Sequence, residues 1–322
     1  STLASVEYMD YTAGAALFQW KRGGDLAVSR ADARAAMPNA NQIIITGGFT
    51  QSGGAIRTGA VLSSCEGINA SSGLVFGVPA MTSARAGHLA CAFRDENGGT
   101  SIMASGGESP ENASTEIFTN GSWTLFANPP KSYRRFATGF GDCYGTARVF
   151  GGFGPAGGAP QITCEWYDVK AGWKYSPNMN TPRASAPATQ LASIRDTLAA
   201  YMVAGGATTA GATAECEYFT IPTKTNPTGT WIKLQPMQTA AADRTLNILG
   251  TNLPIVSGGM ASAGSASNEI EVFQPLRAND AAFGAEEIGR ISDSIVITIR
   301  NEWVLPVSVT NFRIDKSAEF FF

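Results

Sequence analysis

The chain has one histidine, His88, and only five cysteines among 322 residues, with no CxxC pair. A lone histidine cannot build a His-based zinc, copper or iron centre. A Ser–His–Asp hydrolase would rest on His88 alone, and no G-x-S-x-G elbow accompanies it. Charge is scarce too: Asp, Glu, Lys and Arg make up 15% of the residues, against about a quarter in ordinary domains. With net charge −3 and no basic cluster denser than Lys21-Arg22 or Arg134-Arg135, the chain has nowhere to build a nucleic-acid surface. No apolar run reaches the ~20 residues of a membrane-spanning helix. A GxGxxG fingerprint is missing, and Asp95-Glu96-Asn97-Gly98-Gly99 lacks EF-hand spacing and reads as an acidic turn. These absences predict no metal and no cofactor.

Glycine is plentiful. Of 36 glycines, ten form the five pairs that each close a short apolar run, Gly47-Gly48, Gly106-Gly107, Gly151-Gly152, Gly205-Gly206 and Gly258-Gly259. A strand that recurs with the same ending means one small sheet copied several times. After the pairs come Glu116-Ile-Phe118, Glu165-Trp-Tyr167, Glu217-Tyr-Phe219 and Glu271-Val-Phe273, with a weaker copy at Glu66 and another at Glu7-Tyr8-Met9. Neighbouring copies lie 49 to 59 residues apart, and Trp20, Trp123, Trp173 and Trp231 follow several of them. A turn with Pro, often Met, and then Arg separates one unit from the next.

Each unit reads as four short strands between Gly, Pro and Asn turns. Repetition at about 50 residues predicts an all-β, six-bladed β-propeller with four-stranded antiparallel blades. The 51 residues after Glu271 and the first seven of the chain match one more period, so N- and C-terminal strands are expected to close the last blade together. The expected blades are 28–78, 79–128, 129–178, 179–235, 236–282, and 283–310 joined with 1–27. They form one domain over 1–310, followed by a C-terminal extension, 311–322.

The stretch Met81-x-x-x-Arg85-x-Gly87-His88 … Gly106-Gly107 … Glu116-x-Phe118 … Trp123 resembles the Kelch-repeat β-propellers, and the resemblance covers most of 28–275. The copies around Gly47-Gly48 and Gly258-Gly259 depart from the pattern by lacking the Trp, and the last blade has no double glycine. Such a scaffold hosts enzymes and binding modules alike. Some copper-radical oxidases look similar in their propeller portion, but they need two histidines and a tyrosine cross-linked to a cysteine, a set this chain cannot supply.

Arg85, Arg135, Arg183 and Arg244 recur in the turn leading into a first strand, at the expected channel mouth. A ring of guanidinium groups there is the candidate ligand-binding set for an anion. The competing reading has each Arg bridging the Glu or the carbonyls of its own blade. The recurring glutamates, one per blade, are read as structural, because glycosidases need two carboxylates about 5–10 Å apart. No catalytic residue stands out. Cys143 and Cys164 fall in one blade and are the candidate disulfide; Asn69, Asn120 and Asn112 open N-x-Ser sequons in expected turns. The sequons point to a secreted or luminal protein, with the cytoplasm as the alternative.

The leading expectation is a non-catalytic propeller that binds or scaffolds a protein or glycan through its second-to-third-strand loops. One alternative is a carbohydrate-active enzyme with carboxylates and Arg at the channel mouth; two carboxylates converging in one pocket beside Arg would favour it. The other is a structural subunit of a larger extracellular or organellar assembly.

Overall fold

The computed structural model describes residues 3–10, 19–50, 59–95, 98–108, 113–126, 130–141, 146–155, 158–191, 200–220, 229–249, 253–261, 265–273, 276–278 and 299–301. The apolar runs before the glycine pairs become second strands. Thr100–Ser105 and Ala200–Ala204 are buried along nearly their whole length, as strands covered on both faces must be. Beside each lies a third strand carrying the glutamate: Val149 is opposite Glu165, and Val203 opposite Glu217.

Four sheets have four antiparallel strands. They run over Arg34–Asn39 to Val75–Val78, Leu89–Arg94 to Ser122–Phe126, Thr138–Gly141 to Gly172–Ser176, and Ala188–Leu191 to Thr230–Leu234. A fifth has three strands, Thr245–Leu249, Leu253–Ser257 and Ile270–Val272. Apolar clusters fill the gaps between consecutive sheets. Trp173 of the third blade is 3% exposed, packs against Tyr167 at 5.6 Å, and donates its Nε1–H to Thr115 Oγ1 of the second blade at 3.0 Å. The fourth-strand tryptophan is thus a plate between blades.

The described residues therefore form a five-bladed propeller, and the expected six blades with a shared last sheet are corrected. Among the described residues Glu7–Asp10 pairs only with Gln19–Arg22, and Ile299–Asn301 pairs with Leu276–Ala278 rather than with the N-terminal hairpin. The hairpin docks instead on the first blade's outer turn, where Gly24 N–H donates to Gly73 O. Chain length supplied one more period, but residues 283–310 contain no glycine pair to end a second strand. Most of 283–310 and all of 311–322 lie outside the described residues. Among the described residues no helix is long and apolar enough to cross a membrane.

His88 sits between the first two blades, fully buried, with Nε2 2.7 Å from Thr46 Oγ1. Burial, reinforced by the nearby Arg85 and Arg34, holds its pKa well below 6.5. The folded protein keeps this ring neutral while the unfolded chain takes up a proton below pH 6.5. Stability should therefore fall as pH drops through 6.5, at a slope approaching about 1.4 kcal/mol per pH unit, until the folded pKa is reached. Urea unfolding of the wild type and His88→Gln between pH 7.5 and 5.5 checks this, because only the wild type should show that slope. Parallel pH curves would refute it.

Candidate functional site

The glutamates of the five blades, Glu66, Glu116, Glu165, Glu217 and Glu271, each pin the loop that leads into their own blade. Glu116 accepts the N–H groups of Thr82 (2.6 Å) and Ser83 (3.0 Å) and the Nη2 of Arg85 (2.7 Å). Glu217 does the same with Asn180, Thr181 and Arg183, all within 2.8 Å. The arginine's Nη1 caps two carbonyls, those of Gly106 and Ser114 for Arg85 and of Gly205 and Glu215 for Arg183. Burial pushes the Glu116 carboxyl up, but Arg85 and the two backbone donors outweigh it and hold the group below its usual value.

Arg85 and Arg183, two of the four candidate ligand-binding arginines, are thus at most 1% exposed, with Nη1 and Nη2 of each held by protein groups. The other two fall off the register. In the third blade Arg134, not Arg135, holds Glu165 at 2.7 Å; Arg135 pairs with Glu108 and lies over the Phe153 ring at 5.3 Å. In the fifth blade the register position is Ala241, whose carbonyl accepts from Gly206 N–H as Arg85, Arg134 and Arg183 accept from the earlier glycine pairs. Arg244, three residues later, reaches Glu271 from a different place, with Nη1 at 3.1 Å. The first blade uses Arg30, which holds Glu66 at 2.5 Å.

Two residues past the register position stand Asp32, Gly87, Phe136, Ser185 and Asp243, all left-handed with φ between 50° and 56°. Their backbones form a chain across the blades. Gly87 N–H donates to Asp32 O, Phe136 to Gly87, Ser185 to Phe136, and Asp243 to Ser185, at 2.6–3.1 Å. Holding Phe or Ser in this conformation costs about 1–2 kcal/mol each, and such strain concentrates at functional sites. Asp32, Phe136, Ser185 and Asp243 line one central cavity of about 1080 Å³, to which all five blades contribute, the second through Leu89 and Ala90.

The cavity is two-sided. The fifth and first blades supply Asp243, Arg244, Asn247, Asp32 and Arg34; the third and fourth supply mostly small or apolar groups, with Phe136, Ala137, Gly139, Ala186 and Pro187. Asp243 is exposed and Asp32 half-buried, while Arg34 is fixed by its Nε–H on His88 O at 3.0 Å. Two carboxylates and a fixed arginine therefore share one cavity. The sequence did not single out the two aspartates, although each stands at the same offset in Arg30-Ala31-Asp32 and Ala241-Ala242-Asp243.

The remaining candidates lie elsewhere. Cys164 is buried with its thiol donating to Ile162 O, and Cys143 is outside the described residues. Burial raises the Cys65 and Cys216 thiols to about 11 and Cys164 to about 12, so none ionises readily. Asn69 closes a third strand with its Oδ1 held by Ser71 and Ser72; Asn120 is exposed in a turn, and Asn112 is outside the described residues. Among the described residues no three His, Cys, Asp or Glu side chains gather as a metal site.

The fold and its axial cavity define a β-propeller. One solved structure of similar fold is that of YjhT, at TM-score 0.64 and 14% identity, covering 84% of this chain and 88% of that one. Another is a fungal alcohol oxidase of the AA5 family in complex with copper, at TM-score 0.58 and 16% identity, covering 77% of this chain and 52% of the oxidase. These likenesses concern the fold; no family model and no curated protein matches the sequence. Copper does not fit this chain, since its one histidine is sealed between blades. The expectation of a non-catalytic binding propeller is nonetheless corrected. One solved structure of similar fold is an alcohol oxidase, and Asp32, Asp243 and Arg34 line one cavity here.

Proposed function

We propose that the protein is a Kelch-type propeller enzyme acting on a carbohydrate in the axial cavity. The observation that carries the reading is the meeting of Asp32 and Asp243 with Arg34 in one space. A cavity of about 1080 Å³ is slightly above the ~300–1,000 Å³ usual for small-molecule sites, with room for more than one sugar unit. A sugar needs polar groups for its hydroxyls and an apolar face for its C–H surface, and the two-sided lining offers both. One aspartate gives a proton to the departing oxygen while the other draws a proton from the attacking hydroxyl or water, and Arg34 steadies the oxygen where charge develops.

Asp32→Asn and Asp243→Asn should each lower kcat by about 10²–10⁴ on a responsive glycoside. Melting temperatures should hardly change, because neither carboxylate belongs to the Arg–Glu clamps. Screening the wild type and both variants against neutral and acidic glycosides measures this. Full activity in both variants would sink the assignment, as would a wild type inert on every glycoside.

A further inference from the structure

Among the described residues on the cavity, Met260 is the one that comes from outside the first strands and the turns leading into them. Every other lining residue, from Asp32 in the first blade to Asn247 in the fifth, belongs to that inner layer. Met260 follows the glycine pair of the fifth blade, and it is 46% exposed. Both of its backbone groups are taken: its N–H donates to Ala242 O at 2.8 Å, and its carbonyl accepts from Ala242 N–H at 2.9 Å. What Met260 offers is therefore its thioether side chain.

The equivalent positions in the other blades offer no such group. Phe49 is buried, Glu108 is paired with Arg135, the Phe153 ring lies under the Arg135 guanidinium, and Ala207 ends at a methyl. None of these four lines the cavity. Phe153 also shows where a side chain at this position goes. Its ring stands 6.4 Å from that of Phe136, which holds in the third blade the place of Asp243 in the fifth. By the same register Met260 stands beside Asp243. The pairing also sets an order along the blade: Met260 is level with Ala242, Asp243 comes next, and Thr245 and Asn247 follow on the strand. A bond broken beside Asp243 has Met260 on one side and the strand wall on the other.

We propose that Met260 is the platform for the departing group, and that this group is an aromatic aglycone, so that the substrates are aryl glycosides. The inference rests on reading the cavity as a carbohydrate site. The strand side takes the sugar, because Ala35, Ala90, Gly139 and Ala188 leave room there while Thr245 and Asn247 offer polar groups. The departing group then lies on Met260. An unbranched, polarisable thioether adapts to a flat ring and favours contact with aromatic carbon. A second sugar in that place would find only a weak acceptor for its hydroxyls.

The test is equilibrium binding by calorimetry, with the phenyl and methyl 1-thioglycosides of glucose, galactose and mannose, which resist cleavage. The wild type should bind at least one phenyl compound about tenfold or more tightly than its methyl counterpart, the scale of a buried ring touching sulfur. Met260→Ala should bring the two within about threefold of each other, and Met260→Leu, which keeps the apolar surface, should restore part of the preference. Asp243→Asn should keep the preference while losing catalysis, which separates this proposal from the assignment of the aspartates. A wild type that binds no phenyl compound better than its methyl counterpart overturns the proposal. So does an undiminished preference in Met260→Ala or, if that variant fails to fold, in Met260→Gln, which keeps the length of the side chain but not its apolar surface.

Discussion

Alanine at Arg134 should destabilise the protein by about 3–5 kcal/mol, whereas alanine at the next residue, Arg135, should cost no more than about 1 kcal/mol. The two look interchangeable in sequence. Arg134 is 4% exposed, with Nη1 2.7 Å from both Gly151 O and Thr163 O and Nη2 2.7 Å from Glu165. Removing it strands a fully buried carboxylate, left with the Lys131 N–H at 2.6 Å, and uncaps the carbonyls of the glycine turn. Arg135 and Glu108 keep 20% and 28% of their side chains in solvent, so water can replace what each loses. Denaturant unfolding of both variants in one buffer decides the matter. Equal losses would mean that the clamp at Arg134 contributes no more than a surface pair.

The same contrast explains which parts of the molecule were legible beforehand. The glycine pairs, the glutamates and Trp173 recur because each answers a demand that every blade repeats: a reversal through positive φ, a loop to pin, a gap to fill. Repetition made them visible. The site is built from the positions where the repeat varies. At one backbone position with one φ the chain places Asp32, Gly87, Phe136, Ser185 and Asp243, and no period marks the two aspartates out. The shift from Arg135 to Arg134, and from Arg244 to Ala241, was equally hidden, since spacing tolerates a slip of one to three residues while a hydrogen-bond register does not. Blade number misled for a related reason. Length supplies residues for another period, but pairing needs strands with partners, and Ile299–Asn301 finds its partner in Leu276–Ala278.

Alanine at Gly151 should prevent folding or cost more than about 4 kcal/mol, while alanine at Gly258, the same position two blades on, should cost only about 1–2 kcal/mol. Both glycines are left-handed, with φ of 58° and 67°, so both variants bear the strain of an L side chain there. Their surroundings differ. A Cβ on Gly151 would lie 2.2 Å from Arg183 O and 3.0 Å from Met179 Cε. That carbonyl belongs to the loop clamped by Glu217, which cannot yield without loosening the joint between third and fourth blades. A Cβ on Gly258 meets nothing closer than Ser267 O at 3.9 Å, because no described loop of a following blade leans on the fifth. Soluble yield and unfolding midpoints of Gly151→Ala and Gly258→Ala separate the two cases. Equal damage would show that the fifth blade's glycine turn is as tightly covered as the third's, and the five-sheet arrangement would then be wrong at that edge.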